Sequence, residues 1–164
     1  MLIISHRGNT EGSDPPLENH PNQIDRCISE HSMNVEVDVR FIGGQWYLGH
    51  DTAQYNVSKE WLVLRSNFLW LHCKNIEAMC ALQNDVLDLH YFWHETDQYT
   101  ITSKGWIWAY PACDVPFKAR KSISVMPPSY FDTSKFDGIC TDDAEVYTRL
   151  QSGKSNVDNM ERRI

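Results

Sequence analysis

Apolar and polar positions alternate most cleanly in NVEVDVR (34–40). There Val35, Val37 and Val39 share one face of a strand, and Glu36, Asp38 and Arg40 share the other. Shorter runs rich in β-branched and aromatic residues predict further strands near 2–6 (LIISH), 68–73 (FLWLHC), 86–92 (VLDLHYF), 98–102 (QYTIT), 106–110 (WIWAY), 122–126 (SISVM) and 138–141 (GICT). GQWYLG (44–49) reads as a small hairpin arm following the second strand. Helical spacing is rarer. It predicts one helix over 22–31, with Ile24, Cys27 and Ile28 on one face, and a second after Asn75, a good N-cap, through Ala78, Met79 and Leu82. A third starts near Asp142-Asp143 and runs through Val146 and Leu150; from Gln151 the chain is polar and is expected to fray.

Eight strands, the early ones alternating with helices, imply a parallel barrel, yet 164 residues fall short of the roughly 250 that a standard (β/α) barrel uses. The two are compatible if helices have shrunk, and the close spacing of the strands near 98, 106 and 122 is where the loss is expected. The expected fold is therefore α/β: a single domain over 1–164 forming a reduced TIM-type (β/α) barrel with several connecting helices shortened to loops. An open α/β sheet is the alternative.

Charge and composition narrow the partners. A net charge of −7 without a basic stripe excludes wrapping around nucleic acid as the principal role. A small phosphate ligand remains compatible, because a local cluster of Arg, Lys and metal can reverse the field. The five cysteines form no CxxC pair, as expected for reduced thiols of a cytoplasmic protein. No signal peptide is expected, and no run approaches the roughly 20 apolar residues that span a bilayer. A soluble protein without stable membrane association follows as an expectation.

Chemistry concentrates at the predicted strand ends. Glu36 and Asp38, at i and i+2 on one face, repel each other in a barrel interior unless a cation lies between them; Mg²⁺ or Ca²⁺, which prefer oxygen ligands, would serve. The same pattern would also suit an edge strand with its polar face in water. Ile4 and His6 share a face, so His6 can point inward where strand one ends; His72 and Lys74 repeat that spacing in LWLHCKN, and YLGHD carries His50 to the tip of the hairpin arm. In a parallel barrel these groups converge on the C-terminal rim, where barrel active sites lie. Two histidines, two carboxylates, an arginine and a lysine suit metal-assisted phosphoryl transfer.

HRG (6–8), ENH (18–20), VEVDV (35–39), GHD (49–51) and DGICTDD (137–143) occur in an order that resembles the glycerophosphodiester phosphodiesterase family, within the superfamily that includes phosphatidylinositol-specific phospholipases C. The resemblance covers the whole chain. It implies a TIM-type barrel, one divalent metal at the rim, and hydrolysis of a glycerol-linked phosphodiester to an alcohol and a phosphomonoester. It implies His6 and His50 as the acid/base pair, Arg7 and Lys74 as phosphate contacts, Glu36 and Asp38 as metal ligands, and Glu18 and Asn19 as residues that orient these groups.

The chain departs from the family at His72, where a glutamate ligand is usual. Either His72 ligates the metal, shifting preference toward Mn²⁺ or Zn²⁺, or it hydrogen-bonds phosphate while Asp88 or Asp142 completes the sphere through water. Asp142 and Asp143 also suit helix capping. Trp93, His94, Trp108 and Tyr110 form an aromatic rim that either stacks on a substrate or plugs the barrel. Besides the hydrolase, two alternatives stand: a non-catalytic phosphodiester- or phosphate-binding module, and a lyase forming a cyclic phosphate. The expected partner is a small soluble phosphodiester.

Overall fold

The valine face of NVEVDVR organises the structure. Val35, Val37 and Val39 are fully buried and pack with Ile24, Cys27, Ala78 and Leu82 in the largest apolar cluster. The computed structural model describes residues 1–85 and 88–161, those from 154 onward as helical backbone alone. The chain runs β1 (Leu2–His6), α1 (Pro21–His31), β2 (Asn34–Ile42), β3 (Gln45–Leu48), β4 (Tyr55–Val57), α2 (Lys59–Leu64), β5 (Leu69–Cys73), α3 (Ile76–Gln83), β6 (Tyr91–Phe92), β7 (Tyr99–Ile101), β8 (Ile107–Ala109), β9 (Ser122–Val125), β10 (Gly138–Thr141) and α4 (Ala144–Glu161).

The result is a mixed α/β fold with one curled sheet and few helices. Its curled path is β6-β5-β2-β1-β10-β9-β8-β7, with every pairing from β6 to β8 parallel. β7 departs from the all-parallel expectation, because it folds back antiparallel on β8. Five residues separate the two, enough for a hairpin and too few for a parallel crossover. The two ends of the path are linked by turn and side-chain hydrogen bonds. Ser103 N donates to the Tyr91 carbonyl (2.8 Å) and Thr100 Oγ1 to the Trp93 carbonyl (3.0 Å).

Local chemistry explains the helices. Pro21 opens α1, His20 caps it by accepting from Asn22 N, and Ser32 closes it in a left-handed conformation. Asn75 caps α3 at Ala78 N, and its amide also bonds both backbone polar groups of Phe41, tying β2 to the end of β5. Ser58 caps α2, a short helix that sequence pattern alone does not predict, as is also true of β4. α4 starts at Ala144 and continues to Glu161, past the expected fraying point at Gln151. In the predicted strand at 86–92 only Tyr91–Phe92 pairs; Val86 and Leu87 lie outside the described residues. After β8 and β9, loops packed around Val115, Phe136 and Phe131 take the place of helices. No helix among the described residues is long and apolar enough to cross a membrane.

Candidate active site

Sheet register brings distant residues level. β1 sets His6 beside Glu36, β5 sets His72 beside Asp38, and β10 sets Thr141 beside Ser5, so Asp142 follows next to His6. His6, Arg7, Glu36, His50, His72 and Lys74 all line one cavity of about 240 Å³ at the strand ends.

Its centre is acidic and buried. Glu36 is 1% exposed and Asp38 0%, and His72 Nδ1 lies 3.3 Å from Glu36 Oε1 and 3.3 Å from Asp38 Oδ1. The expectation that these carboxylates stand in water on an edge strand therefore fails. His72 Nε2 donates to the His94 carbonyl at 2.8 Å, which assigns its second nitrogen to the carboxylates. Burial opposes charge on His72, but the facing Asp38 and Glu36 outweigh it and raise its pKa to about 9. Burial likewise opposes ionisation of Asp38, yet His72 and Arg7 hold its carboxyl well below the usual range.

Asp38 is gripped from the other side. Asn19 donates to Asp38 Oδ2 (2.9 Å) and accepts from Asp38 N (2.8 Å), while Arg7 Nε stands 3.0 Å from the same Oδ2. Glu18 holds Arg7 Nη1 at 2.9 Å. Arg7 and Asn19 both adopt left-handed backbone (φ 53° and 59°), strain that aims their side chains back at β2. The implied orienting role of Glu18 and Asn19 thus has a geometric counterpart.

Each histidine of the expected acid/base pair has a carboxylate on Nδ1. His6 Nδ1 bonds Asp142 at 2.8 Å, leaving Nε2 toward Glu36 at 4.0 Å. His50 Nδ1 bonds Asp51 at 2.7 Å, and its Nε2 faces Lys74 Nζ at 3.4 Å. Burial works against protonation of His6, but Asp142 and Glu36 outweigh it and raise its pKa; burial opposes ionisation of Asp142, yet His6 and Asn9 lower its pKa.

Three residues stand elsewhere than sequence pattern places them. Arg40 does not reach the sheet axis: its guanidinium donates to the Gly49, His50 and Lys74 carbonyls and so anchors the loop that carries His50. Asp88 is almost fully exposed, paired with Lys104, and lines no part of the cavity. Asp142 lies on His6, neither among the clustered metal-type donors nor as a helix cap. Its pairing with His6 depends on β1 and β10 being neighbours, which no local motif announces.

Among the described residues, Glu36, Asp38 and His72 form the one group of donors spaced to hold a metal, their ligand atoms lying within 4.8 Å of one another. Asp38 Oδ1 is buried without a hydrogen-bond partner among those residues. Two carboxylates and an imidazole whose tautomer is fixed from outside fit a divalent cation. The chain matches no known family model, no curated protein and no solved structure.

Proposed function

We propose that this chain is a small metal-dependent phosphodiesterase, built on a reduced TIM-type (β/α) barrel, that cleaves a glycerophosphodiester-like substrate to an alcohol and a phosphomonoester. One observation carries the reading. Two histidines, each with Nδ1 on a carboxylate, share a small cavity with a buried acidic cluster, Arg7 and Lys74. The resemblance of HRG, ENH, VEVDV, GHD and DGICTDD to the glycerophosphodiester phosphodiesterase family supports it.

Glu36, Asp38 and His72 would hold the cation. When bound, that cation would supply charge neutralisation and polarisation at a phosphate oxygen. Arg7 and Lys74 complement the non-bridging oxygens as negative charge grows on them, typically the largest catalytic contribution. Of the two histidines, one accepts the proton of the attacking hydroxyl or water and the other gives a proton to the departing alkoxide, roles worth about 10²–10⁴-fold each. Attack by a neighbouring substrate hydroxyl would give a cyclic phosphate, so a lyase outcome uses the same residues. Mg²⁺ or Ca²⁺ suits the carboxylates; the imidazole of His72 favours Mn²⁺ or Zn²⁺. Five free cysteines without a disulfide fit a cytoplasmic setting.

A second reading has a specific observation behind it. A protonated His72 between Glu36 and Asp38, together with Arg7 on Asp38, would balance both carboxylates without a metal. Hydrolysis of glycerophosphodiesters and a chromogenic diester by the wild type and His50→Ala tests the enzyme reading. Turnover lost in the variant supports it; no turnover above His50→Ala for any diester favours a binding module.

A further inference from the structure

One buried amide joins the proton-transfer side of the cavity to its phosphate side. Asn9 is 3% exposed, and its side-chain nitrogen donates to Asp142 Oδ1 at 2.8 Å and to Glu18 Oε1 at 3.2 Å. Asp142 Oδ1 is the same oxygen that meets His6 Nδ1, and the second oxygen of Glu18 holds Arg7 Nη1 at 2.9 Å. Asn9 Oδ1 accepts from Asp14 N at 3.1 Å, which fixes the amide with its NH₂ toward the carboxylates.

Local sequence places this side chain. Asn9 N donates to the His6 carbonyl at 2.9 Å, closing a four-residue turn whose central residues, Arg7 and Gly8, both have positive φ (53° and 88°). Ser5 Oγ donates to the Asn9 carbonyl at 2.8 Å, so every polar group of Asn9 is held. The charge pattern explains why an amide stands there. Two carboxylate oxygens that share one nitrogen are close enough to repel each other, and a neutral group with two N–H donors answers both without adding charge. Burial opposes ionisation of Glu18, yet Arg7, Ser13 and Asn9 together lower its pKa. An aspartate would be a third anion at this point, and an alanine would leave both carboxylates a donor short.

We propose that Asn9 is a positioning residue that sets both halves of the reaction at once, by holding Asp142 against His6 and Glu18 against Arg7. This rests on the phosphodiesterase reading above and adds to it a residue that does not itself line the cavity. Its loss frees the His6 ring to turn and loosens the Arg7 guanidinium, so proton transfer and phosphate binding weaken together. Losing the Asp142 contact alone impairs the first, and losing the Glu18 contact alone impairs the second.

The test is steady-state hydrolysis of a chromogenic diester, with Mg²⁺ or Mn²⁺ present, by Asn9→Ala alone and combined with Asp142→Asn or with Glu18→Gln. Nitrogen-15 spectra of the His6 and His50 rings at alkaline pH accompany it. Asn9→Ala should lower kcat about 10²-fold, the cost of a misplacement near 1 Å, and raise KM about fivefold. Its effect on kcat should shrink to about threefold or less in the Asp142→Asn background, and its effect on KM should vanish in Glu18→Gln, because coupled neighbours are not additive. The His6 ring signals should move toward a mixture of tautomers, while those of His50, held by Asp51, stay in place. Asn9→Asp, equal in size but with acceptors for donors, should reproduce these losses and carries the test where Asn9→Ala does not fold. Losses that add in full in both backgrounds, or unchanged His6 signals in a folded variant, overturn the proposal and leave Asn9 a structural residue. If wild type cleaves no diester, the phosphodiesterase reading fails, and the His6 spectra alone decide whether Asn9 positions that ring.

Discussion

Beneath the site, a histidine is buried uncharged, and protonating it should destabilise the fold. His90 packs on Trp70 at a 40° tilt, with centroids 3.9 Å apart, and is hydrogen-bonded to Thr102 Oγ1 at 2.7 Å. Burial first, then the positive charge of Lys104, lowers its pKa from 6.5 to about 4; Asp88 pulls the other way and Lys121 adds to the lowering. The unfolded chain takes up a proton near pH 6.5, whereas the folded one resists until near pH 4. In that window the unfolded state binds more protons, so stability rises with pH and is lost as pH falls. At about 1.4 kcal/mol per pH unit, His90 alone accounts for about 3 kcal/mol between neutrality and pH 4. Urea unfolding followed by tryptophan fluorescence at a series of pH values measures this directly. His90→Gln keeps hydrogen-bonding capacity but does not titrate, so its stability should fall less steeply over the same window, whatever its value at pH 7. Other acid-sensitive groups, Asp38 and Asp142 among them, contribute to both proteins and cancel in the difference. Parallel pH curves for wild type and His90→Gln would refute the argument. The floor also matters to the site, because Trp70 adjoins Trp108, Trp108 adjoins Phe92, and Phe92 stacks on His72 at 4.8 Å and 11°.

Removing the Asp142 carboxylate as Asp142→Asn should lower turnover by about 10²-fold or more with little change in unfolding free energy, since His6 loses the group that fixes its tautomer; steady-state kinetics beside urea unfolding separates the two effects. Arg7→Met leaves the buried Asp38 short of its arginine and should destabilise the fold by about 3–5 kcal/mol in urea titration. At Gly49 (φ 140°) an added methyl would collide with the Thr52 carbonyl oxygen, so Gly49→Ala should displace His50 and abolish turnover while circular dichroism stays native. With a thiol reagent, Cys80 should react at once in the native protein, and Cys27, Cys73 and Cys140 only on unfolding.

The readable parts of this molecule are those governed by short-range periodicity. Alternation in 34–40 gives both the buried valines and the inward pair Glu36 and Asp38, and the i, i+2 spacing finds His6, His72 and Lys74 at the rim. Asn75 is visible as a cap because its neighbours already read as a helix. Pattern fails where the outcome depends on a distant partner. β7 carries strand residues, and only its pairing decides that it runs antiparallel. Asp142 meets His6 across 136 residues of separation, a contact created by parallel adjacency of β1 and β10. Arg40 shares a strand face with Asp38 by alternation, yet the carbonyls of the His50 loop draw its guanidinium away. His94 reads as one more rim aromatic, yet it is its backbone carbonyl that matters, accepting from His72 Nε2 and so orienting that ring toward the carboxylates.

The central claim is that the buried Glu36–Asp38–His72 cluster holds a cation on which diester cleavage depends. Chelator-stripped protein should be assayed for glycerophosphodiester hydrolysis as Mg²⁺, Ca²⁺, Mn²⁺ or Zn²⁺ is returned, with Asp38→Asn in parallel and calorimetry reporting metal binding. The account predicts no turnover after stripping, recovery at the metal concentration where binding saturates, and neither binding nor recovery in Asp38→Asn. Full activity in the stripped protein would contradict it and leave a protonated His72 in the place assigned to the metal.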